Sequence, residues 1–290
     1  MPRFVAGVVM AVVAGGAPPA LAAPSKAGRP EALIVATTFG FYQGIATTLL
    51  LKDADVLNDE DDVVFAGAGL TLASTAGTYW LASAVTERYG VNQAQASMFN
   101  ASLFWAVLNG TGGALAADAR TDRLLWSTLV SGWTGQAIGI LSAAHVDRTA
   151  GQVGLMSTAG TWFGAETLVV MKAAGARDGY ALAGTLAVDA GLITGYALAS
   201  TSFGRGVSQT RARWLDLGAL AGGLAAPAAL FMVWGPEEDL RAWYLSAVAV
   251  GIPLGLGTAW YLTRDLDADD PTTDAGGDAP LMLPLMAGVF

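Results

Sequence analysis

Long uncharged stretches alternate with short polar ones along most of the chain. Eight stretches after residue 31 are apolar or nearly free of charge, each long enough at 1.5 Å per residue to cross ~30 Å of hydrocarbon as a helix. They occupy residues 33–51, 63–86, 93–117, 124–146, 150–173, 179–203, 212–235 and 242–263. The pattern predicts an all-α, polytopic membrane bundle of about eight transmembrane helices over residues 32–264.

A β-barrel is the alternative architecture for a membrane protein. Barrel strands are about ten residues long and alternate lipid-facing with polar positions, whereas these stretches are about twice as long and rich in Ala, Leu and Gly. The final aromatic residue, Phe290, follows an apolar segment, as it does in many outer-membrane barrels. Because Pro280 and Pro284 interrupt that segment, it is a poor strand, and the helical interpretation is preferred.

The N-terminus has the pattern of an export signal. Arg3 precedes an apolar run over residues 4–14, and small residues at Ala20 and Ala22 form a cleavage site. The run is too short to span a bilayer. We therefore expect residues 1–22 to be a cleaved signal peptide, followed by a polar linker over residues 23–31.

The membrane segments contain an internal repeat. Gln95, Gln152 and Gln209 are spaced 57 residues apart near the starts of odd-numbered segments, and Trp105 and Trp162 share that spacing. Such periodicity predicts a repeated supersecondary unit, here a helical hairpin used four times. The four hairpins would cover residues 32–88, 93–147, 150–204 and 209–264.

Glycine pairs four residues apart form the strongest motif in the chain. Glycines at this spacing share one helix face and allow a neighbouring backbone to approach closely. We expect these residues to mediate helix packing; two further pairs, Ala73 with Gly77 and Ala106 with Gly110, extend the pattern. The predicted packing glycines are Gly40, Gly44, Gly135, Gly139, Gly160, Gly164, Gly191, Gly195, Gly218, Gly222, Gly251 and Gly255.

Composition supports a membrane location and excludes several functions. Of the 290 residues, 53% are hydrophobic and 13% are charged, about half the charged fraction of a soluble domain. With 15 basic against 24 acidic residues and no basic cluster, the chain is not expected to bind nucleic acid. The absence of cysteine and the single histidine, His145, argue against thiolate chemistry, a histidine metal site or a Ser-His-Asp triad.

The distribution of basic residues does not identify the membrane. If the signal is cleaved, the loops on the two sides carry six Lys and Arg each, before Lys26 and Arg29 are added. An inner-membrane protein normally shows an excess on the cytoplasmic side. Small and hydroxyl residues also lower the hydrophobicity of the predicted spans, and weakly hydrophobic segments are less readily retained in the inner membrane. We therefore expect an envelope protein of either the inner or the outer membrane.

Three carboxylates interrupt the apolar stretches: Asp189, Glu166 and Asp216. A charge at the middle of a bilayer costs ~2.5–3.5 kcal/mol, so such residues usually face a bundle interior or an aqueous path. Asp216 lies three residues from Arg213, which predicts a local ion pair, and Glu166 lies near Lys172. Asp189 has no basic residue nearby and is the strongest candidate for an intramembrane polar site.

Two acidic segments lie outside the predicted helices. The loop over residues 53–62 holds six acidic residues, but it lacks the spacing and closing glutamate of an EF-hand. We interpret it as a solvated loop, with weak binding of divalent cations as the alternative. Residues 265–279 are predicted to be a disordered acidic linker, and residues 280–290 form an apolar C-terminal segment without an assigned role.

These features predict an exported integral membrane protein of the bacterial cell envelope with a structural or pore-forming role. No catalytic, metal-binding or cofactor-binding motif is present. One alternative is an ion- or proton-coupled transporter or channel of the inner membrane that uses Asp189. A second is an accessory subunit of a larger membrane complex; the expected partners are the lipid bilayer and either a second copy or another membrane subunit.

Overall fold

A computed structural model describes residues 26–57, 59–144, 148–176, 179–235 and 240–266, and these residues form eight α-helices and no strand. The prediction of an all-helical fold is confirmed. The helices are α1 (Arg29–Asp53), α2 (Glu60–Tyr89), α3 (Gln93–Ala116), α4 (Thr121–Ala144), α5 (Ala150–Ala173), α6 (Tyr180–Ser200), α7 (Gln209–Trp234) and α8 (Arg241–Leu262).

Several predictions of the sequence fall outside the described residues. They are the signal peptide over residues 1–22, His145, the acidic linker beyond residue 266 and the apolar segment over residues 280–290. The polar linker is described only from Lys26 onward, and α1 already begins at Arg29. Glu31, which the linker was expected to contain, is therefore the third residue of a helix.

The starts of α3, α5 and α7 are set by side-chain caps. Asn92 and Gln95 form a reciprocal capping box at α3, and Thr149 and Gln152 form the same box at α5. Each box satisfies two backbone N–H groups that the first helical turn leaves without partners. Helix α7 is capped by Ser208, whose side chain accepts from the N–H of Arg211.

These caps alter the register of the predicted repeat. Gln95 and Gln152 occupy the third position of their helices, whereas Gln209 occupies the first position of α7. The glutamines are therefore not equivalent in structure, because α7 begins two residues later than a strict spacing of 57 requires. The residues in the third position are Glu31, Gln95, Gln152 and Arg211.

Consecutive helices form four tightly packed pairs: α1 with α2, α3 with α4, α5 with α6, and α7 with α8. The connections within each pair are short, so the two helices run antiparallel. Contacts between pairs follow one pattern, in which α4, α6 and α8 also touch the odd helix of the preceding pair. The odd helices consequently form an inner row, and α2 lies outermost, packed mainly against α1.

Glycine allows the two helices of each pair to approach at backbone distance. A methyl group added at Gly222 would collide with the carbonyl oxygen of Gly251, and one added at Gly255 would collide with that of Gly218. Each of the twelve predicted packing glycines faces the partner helix of its own pair, although at Gly160 and Gly164 the nearest atoms belong to the side chains of Leu192 and Val188. By contrast, Gly77 has no atom of another helix within contact distance of its missing side chain, so the pair Ala73 and Gly77 faces outward.

Arginines at the starts of odd helices bind the ends of the even helices. Arg29 donates to Ser83 Oγ of α2 at 2.9 Å, and Arg148 donates to Ser200 Oγ of α6 at 2.9 Å. Arg211 donates to the carbonyl of Trp260 in α8 at 3.3 Å, with its guanidinium over the indole ring. Cations are favourable near helix C-termini because the last carbonyl groups lack intrahelical partners. The three arginines therefore stabilise three of the pairs, all at the same end of the bundle.

Four helices, α1, α6, α7 and α8, are long and apolar enough to cross a membrane. This result supports membrane association for the chain. Between 11% and 39% of the most apolar windows of these helices is buried inside the bundle. Most of their apolar surface therefore faces outward, as it does where the solvent is lipid.

The glycine contacts predict that a single methyl group will distinguish packed from open positions. Gly222→Ala should lower the free energy of unfolding by about 1–3 kcal/mol, because the added atom overlaps the Gly251 carbonyl in a contact that cannot relax through a side chain. Gly69→Ala, where nothing lies within 4 Å, is the matched control and should be neutral or slightly stabilising. Unfolding in mixed micelles measures both, and equal losses would contradict the packing described.

Candidate functional site

The three predicted intramembrane carboxylates lie on three neighbouring helices and have different surroundings. Asp189, in the middle of α6, is half-buried and accepts a hydrogen bond of 3.0 Å from the side-chain amide of Asn109 in α3. Asn109 also donates to the carbonyl of Trp105, one turn earlier in its own helix. The amide thus links the carboxylate to the backbone of α3, and Asp189 joins two helix pairs.

Asp216 is bound by a residue that the sequence did not indicate. The indole N–H of Trp162 in α5 donates to Asp216 Oδ1 at 2.9 Å, and the ring of Trp162 is only 8% exposed. Thr158 lies close to the same carboxyl group. Among the described residues no ion pair joins Asp216 to Arg213, so the expected local pair is replaced by a link between α5 and α7.

Asp189 and Asp216 lie at a similar depth in the bundle. Val188, adjacent to Asp189, packs against Gly164 of α5, two residues from the Trp162 that binds Asp216. The two carboxylates are therefore level with the same turn of α5, but each is hydrogen-bonded by a different helix. This arrangement uses them to connect separate pairs of helices.

Glu166 differs from the other two carboxylates. It lies one turn beyond Trp162 on the same face of α5, and its Oε2 atom is inaccessible to solvent without a hydrogen bond from any described residue. Among the described residues, no hydrogen bond joins it to Asp189, which is bound by Asn109. A buried oxygen without a donor is costly, and this makes Glu166 the least satisfied of the three.

The structure reveals a further polar cluster at Glu31, which sequence reasoning missed. The carboxyl of Glu31 accepts hydrogen bonds from Gln93, Ser97 and Asn100 along one face of α3, the last at 2.7 Å. From α7, the side chain of Gln209 and the charge of Arg213 reach the same carboxyl. This cluster joins the starts of three odd helices.

A signal for this cluster is present in the sequence, but it is ambiguous. Gln93, Ser97 and Asn100 are spaced four and three residues apart, so they share one helix face. Gln209 and Arg213 are four residues apart as well. Such polar stripes at the starts of predicted spans are equally expected of residues exposed to water, and without the relative positions of the helices they do not identify Glu31 as their partner.

The acidic loop contributes to helix capping in the described part of the chain. Asp59 accepts from the backbone N–H of Glu60 at 3.0 Å at the start of α2. Negative charge there is favourable because it complements the positive end of the helix dipole. The described residues contain no group of three or more His, Cys, Asp or Glu side chains arranged to hold a metal ion.

The chain matches no family model, and comparisons with curated proteins and with solved structures found no match.

The two tryptophans of the repeat allow the hydrogen bond to Asp216 to be tested. Trp162→Phe removes the indole donor while keeping an aromatic ring. It should lower the free energy of unfolding by about 0.6–1.7 kcal/mol, from the average to the maximum found for hydrogen bonds between membrane helices. Trp105 has the same offset within its pair and is 7% exposed, but none of the described residues accepts from its N–H.

Trp105→Phe is therefore the matched control, and it should cost less than Trp162→Phe because it removes an unsatisfied buried donor. A double-mutant cycle of Trp162→Phe with Asp216→Asn, followed by unfolding in micelles, isolates the pairwise term. A coupling energy of zero would show that the hydrogen bond does not contribute to stability.

Proposed function

We propose that the chain is an eight-span integral membrane protein of the bacterial cell envelope with a structural role. The observation that carries this proposal is that two of the three predicted intramembrane carboxylates are hydrogen-bonded between helix pairs. Asp189 and Asp216 each accept a hydrogen bond from a neighbouring helix pair, so their polar atoms are engaged in holding the bundle together. A carboxylate that serves a permeation path has to exchange such contacts with water or ions.

The antiparallel arrangement supports eight spans. Helices α2 to α5 have 24 to 30 residues each, a length of at least about 36 Å. They alternate in direction beside α1, α6, α7 and α8, which are apolar enough to cross a membrane. If those four helices traverse the hydrocarbon layer, the other four occupy the same layer because they pack along them.

The close approach within the pairs favours a structural role over a pore. Gly218 and Gly222 place their backbone against Gly255 and Gly251, and Gly191 approaches the carbonyl of Ala159. Backbones in contact leave no room for a solvated path between the two helices of a pair. A path would have to run between pairs, where the hydrogen bonds of Asp189 and Asp216 lie.

The alternative function is ion or proton coupling at Asp189, and one observation favours it. The buried Oε2 atom of Glu166 has no donor among the described residues, as expected of a group that receives a proton or a cation. Glu166 and Asp189 lie on the paired helices α5 and α6. A role as an accessory subunit is a further alternative, because the outward face of α2 offers small residues to a partner.

Export and location complete the proposal. The N-terminal pattern over residues 1–22 supports secretion into the envelope. Because the basic residues are balanced between the two sides, they favour neither the inner nor the outer membrane, and fractionation on a density gradient distinguishes the two locations. Extraction at alkaline pH distinguishes an integral protein from a peripheral one. Release into the soluble fraction would contradict the whole proposal.

The number of spans can be tested by single cysteines, since the natural chain has none. With eight spans, one set of loop positions reacts with an impermeant maleimide from one side of the membrane, and a second set reacts only from the other. The first set is Ala54→Cys, Ala117→Cys and Ala174→Cys; the second is Val91→Cys, Ser202→Cys and Asp265→Cys.

Labelling after the membrane is permeabilised serves as the control that each cysteine is reactive. If α2 to α5 did not cross the membrane, Ala117→Cys and Val91→Cys would be labelled from the same side. That result would overturn the eight-span topology while leaving the helical fold intact.

Flux measurements separate the structural role from the alternative. Proteoliposomes containing the wild-type chain should leak protons and monovalent cations no faster than liposomes with an unrelated helical membrane protein. Asp189→Asn and Glu166→Gln should leave that leak unchanged, and Asp189→Asn should lower stability through the Asn109 contact. A flux that the wild type supports and either variant abolishes, with the fold retained, would establish ion coupling.

A further inference from the structure

A groove of about 490 Å³ runs along the outside of the bundle between α1 and α2. It lies at the end of the bundle where α1 begins and α2 finishes. On the α2 side, Tyr79 remains half exposed beside it. The residues that form its walls include Leu33, Ile34, Thr37 and Phe41 of α1 with Thr75 and Tyr79 of α2.

The walls of the groove are apolar although they contain threonines. Thr37 donates its hydroxyl to the carbonyl of Leu33 at 2.6 Å, and Thr75 donates to the carbonyl of Thr71 at 2.6 Å. Each hydroxyl is thereby satisfied within its own helix. The threonines consequently present methyl groups to the groove, and a ligand there would find hydrocarbon and aromatic surface.

The dimensions of the groove match one leaflet of a bilayer. Leu33 and Phe41 are eight residues apart on α1, a rise of about 12 Å. The hydrocarbon of one leaflet is about 15 Å thick, half of the ~30 Å core. The groove starts near the end of its helices, where the headgroup region begins, and extends toward the middle of the membrane. An acyl chain that enters from this end fits it in length and in polarity.

The outer end of the groove carries opposite charges. On α1, Arg29 precedes Leu33 by one turn on the same face, and on α2, Ser83 and Glu87 follow Tyr79 at intervals of four residues. Arg29 donates to Ser83 at 2.9 Å and lies 3.7 Å from Glu87. The Nε atom of Arg29 is inaccessible to solvent and has no acceptor among the described residues. The carboxylate of Glu87 is largely exposed, with 64% of its side chain accessible.

We propose that this groove binds one phospholipid with an ammonium-bearing headgroup, its acyl chain between α1 and α2 and its headgroup at Arg29 and Glu87. The phosphate accepts from the accessible part of the Arg29 guanidinium, whose side chain is 29% exposed, and the ammonium group lies at the Glu87 carboxylate. The assignment rests on the membrane location proposed above.

Charge complementarity selects this lipid over other occupants. A phosphate alone would satisfy the guanidinium but would be repelled by Glu87, whereas a zwitterionic headgroup offers each charge its opposite. Because the contact between Arg29 and Glu87 is long and partly exposed, it is weak and readily yields to the headgroup. A primary ammonium also donates hydrogen bonds to a carboxylate, which a quaternary one cannot.

Native mass spectrometry of the full chain in detergent, after delipidation, tests the proposal. Phosphatidylethanolamine should bind with a stoichiometry of one, more tightly than phosphatidylglycerol or phosphatidylcholine of the same chain length. Arg29→Gln, which removes the guanidinium, should weaken binding by roughly tenfold or more, as expected for loss of a charge-assisted contact. Thr37→Trp should weaken binding by a similar factor because its indole ring occupies the space of the acyl chain.

Ile193→Trp, at an outward position of α6 that is 70% exposed, is the matched control and should bind as the wild type does. Helical circular dichroism and unfolding of each variant without lipid show whether the fold is retained; Phe41→Ala, at the inner end of the groove, provides a second variant if Thr37→Trp does not fold.

Several outcomes would overturn the proposal. The proposal is overturned if the groove variants retain phosphatidylethanolamine as well as the wild type does, or if the wild type prefers phosphatidylglycerol. It is also overturned if the bound mass is that of a second copy of the chain, or if lipid binds only after residues 280–290 are deleted. Failure of the membrane location itself would be seen separately, as a chain released by alkaline extraction before any lipid is added.

Discussion

Backbone contact between paired helices is the constraint on which the other features of this bundle depend. In lipid, apolar side chains gain little by leaving the solvent for a helix interface, so association relies on van der Waals packing and interhelical hydrogen bonds. Glycines on facing helices, such as Gly222 and Gly251, bring the two backbones into direct contact. Each pair of helices thereby becomes a stiff unit with its own interface, and the chain is assembled from four of them.

The contacts between pairs are of a different kind, and they determine what the polar residues can do. Between pairs the interface includes larger side chains, such as Trp162 against Ala219 and Ile252, and it is supplemented by single polar contacts. Asn109 reaches Asp189 and Trp162 reaches Asp216, while Glu31 collects donors from α3. These polar contacts join side chains of different pairs, so each one depends on the register of one pair against the next.

The helices could be predicted from the sequence because uncharged runs and their polar boundaries report directly on burial in an apolar medium. The predicted stretch over residues 150–173 coincides with α5, and that over residues 93–117 differs from α3 by one residue. A spacing of four also places the two glycines of each pair on one helix face. Their partner helices follow from the short connections.

What the sequence could not supply was the identity of side chains that meet across different pairs. Arg213 was expected to bind Asp216 because the two are close along one helix, but Asp216 is bound by Trp162 of α5. The charge of Arg213 acts on the carboxyl of Glu31 instead. Glu31 itself was assigned to a linker because Pro30 is the only neighbouring residue that indicates the start of a helix. The cap at Ser208 places Gln209 at the first position of α7, whereas Gln95 and Gln152 occupy the third position of their helices.

The fold also offers a reason for the distribution of basic residues. Orientation in an inner membrane is set by lysines and arginines in the loops before the helices have packed, so a bias would be expected if topology alone placed them. Here Arg29, Arg148 and Arg211 have a second purpose, since they bind the ends of the following even helices. Those ends all lie on the side where the odd helices begin, and the dipoles of the even helices require positive charge there. The arginines on that side are therefore placed by the needs of the folded bundle, and their number is a poor guide to which side of the membrane they face.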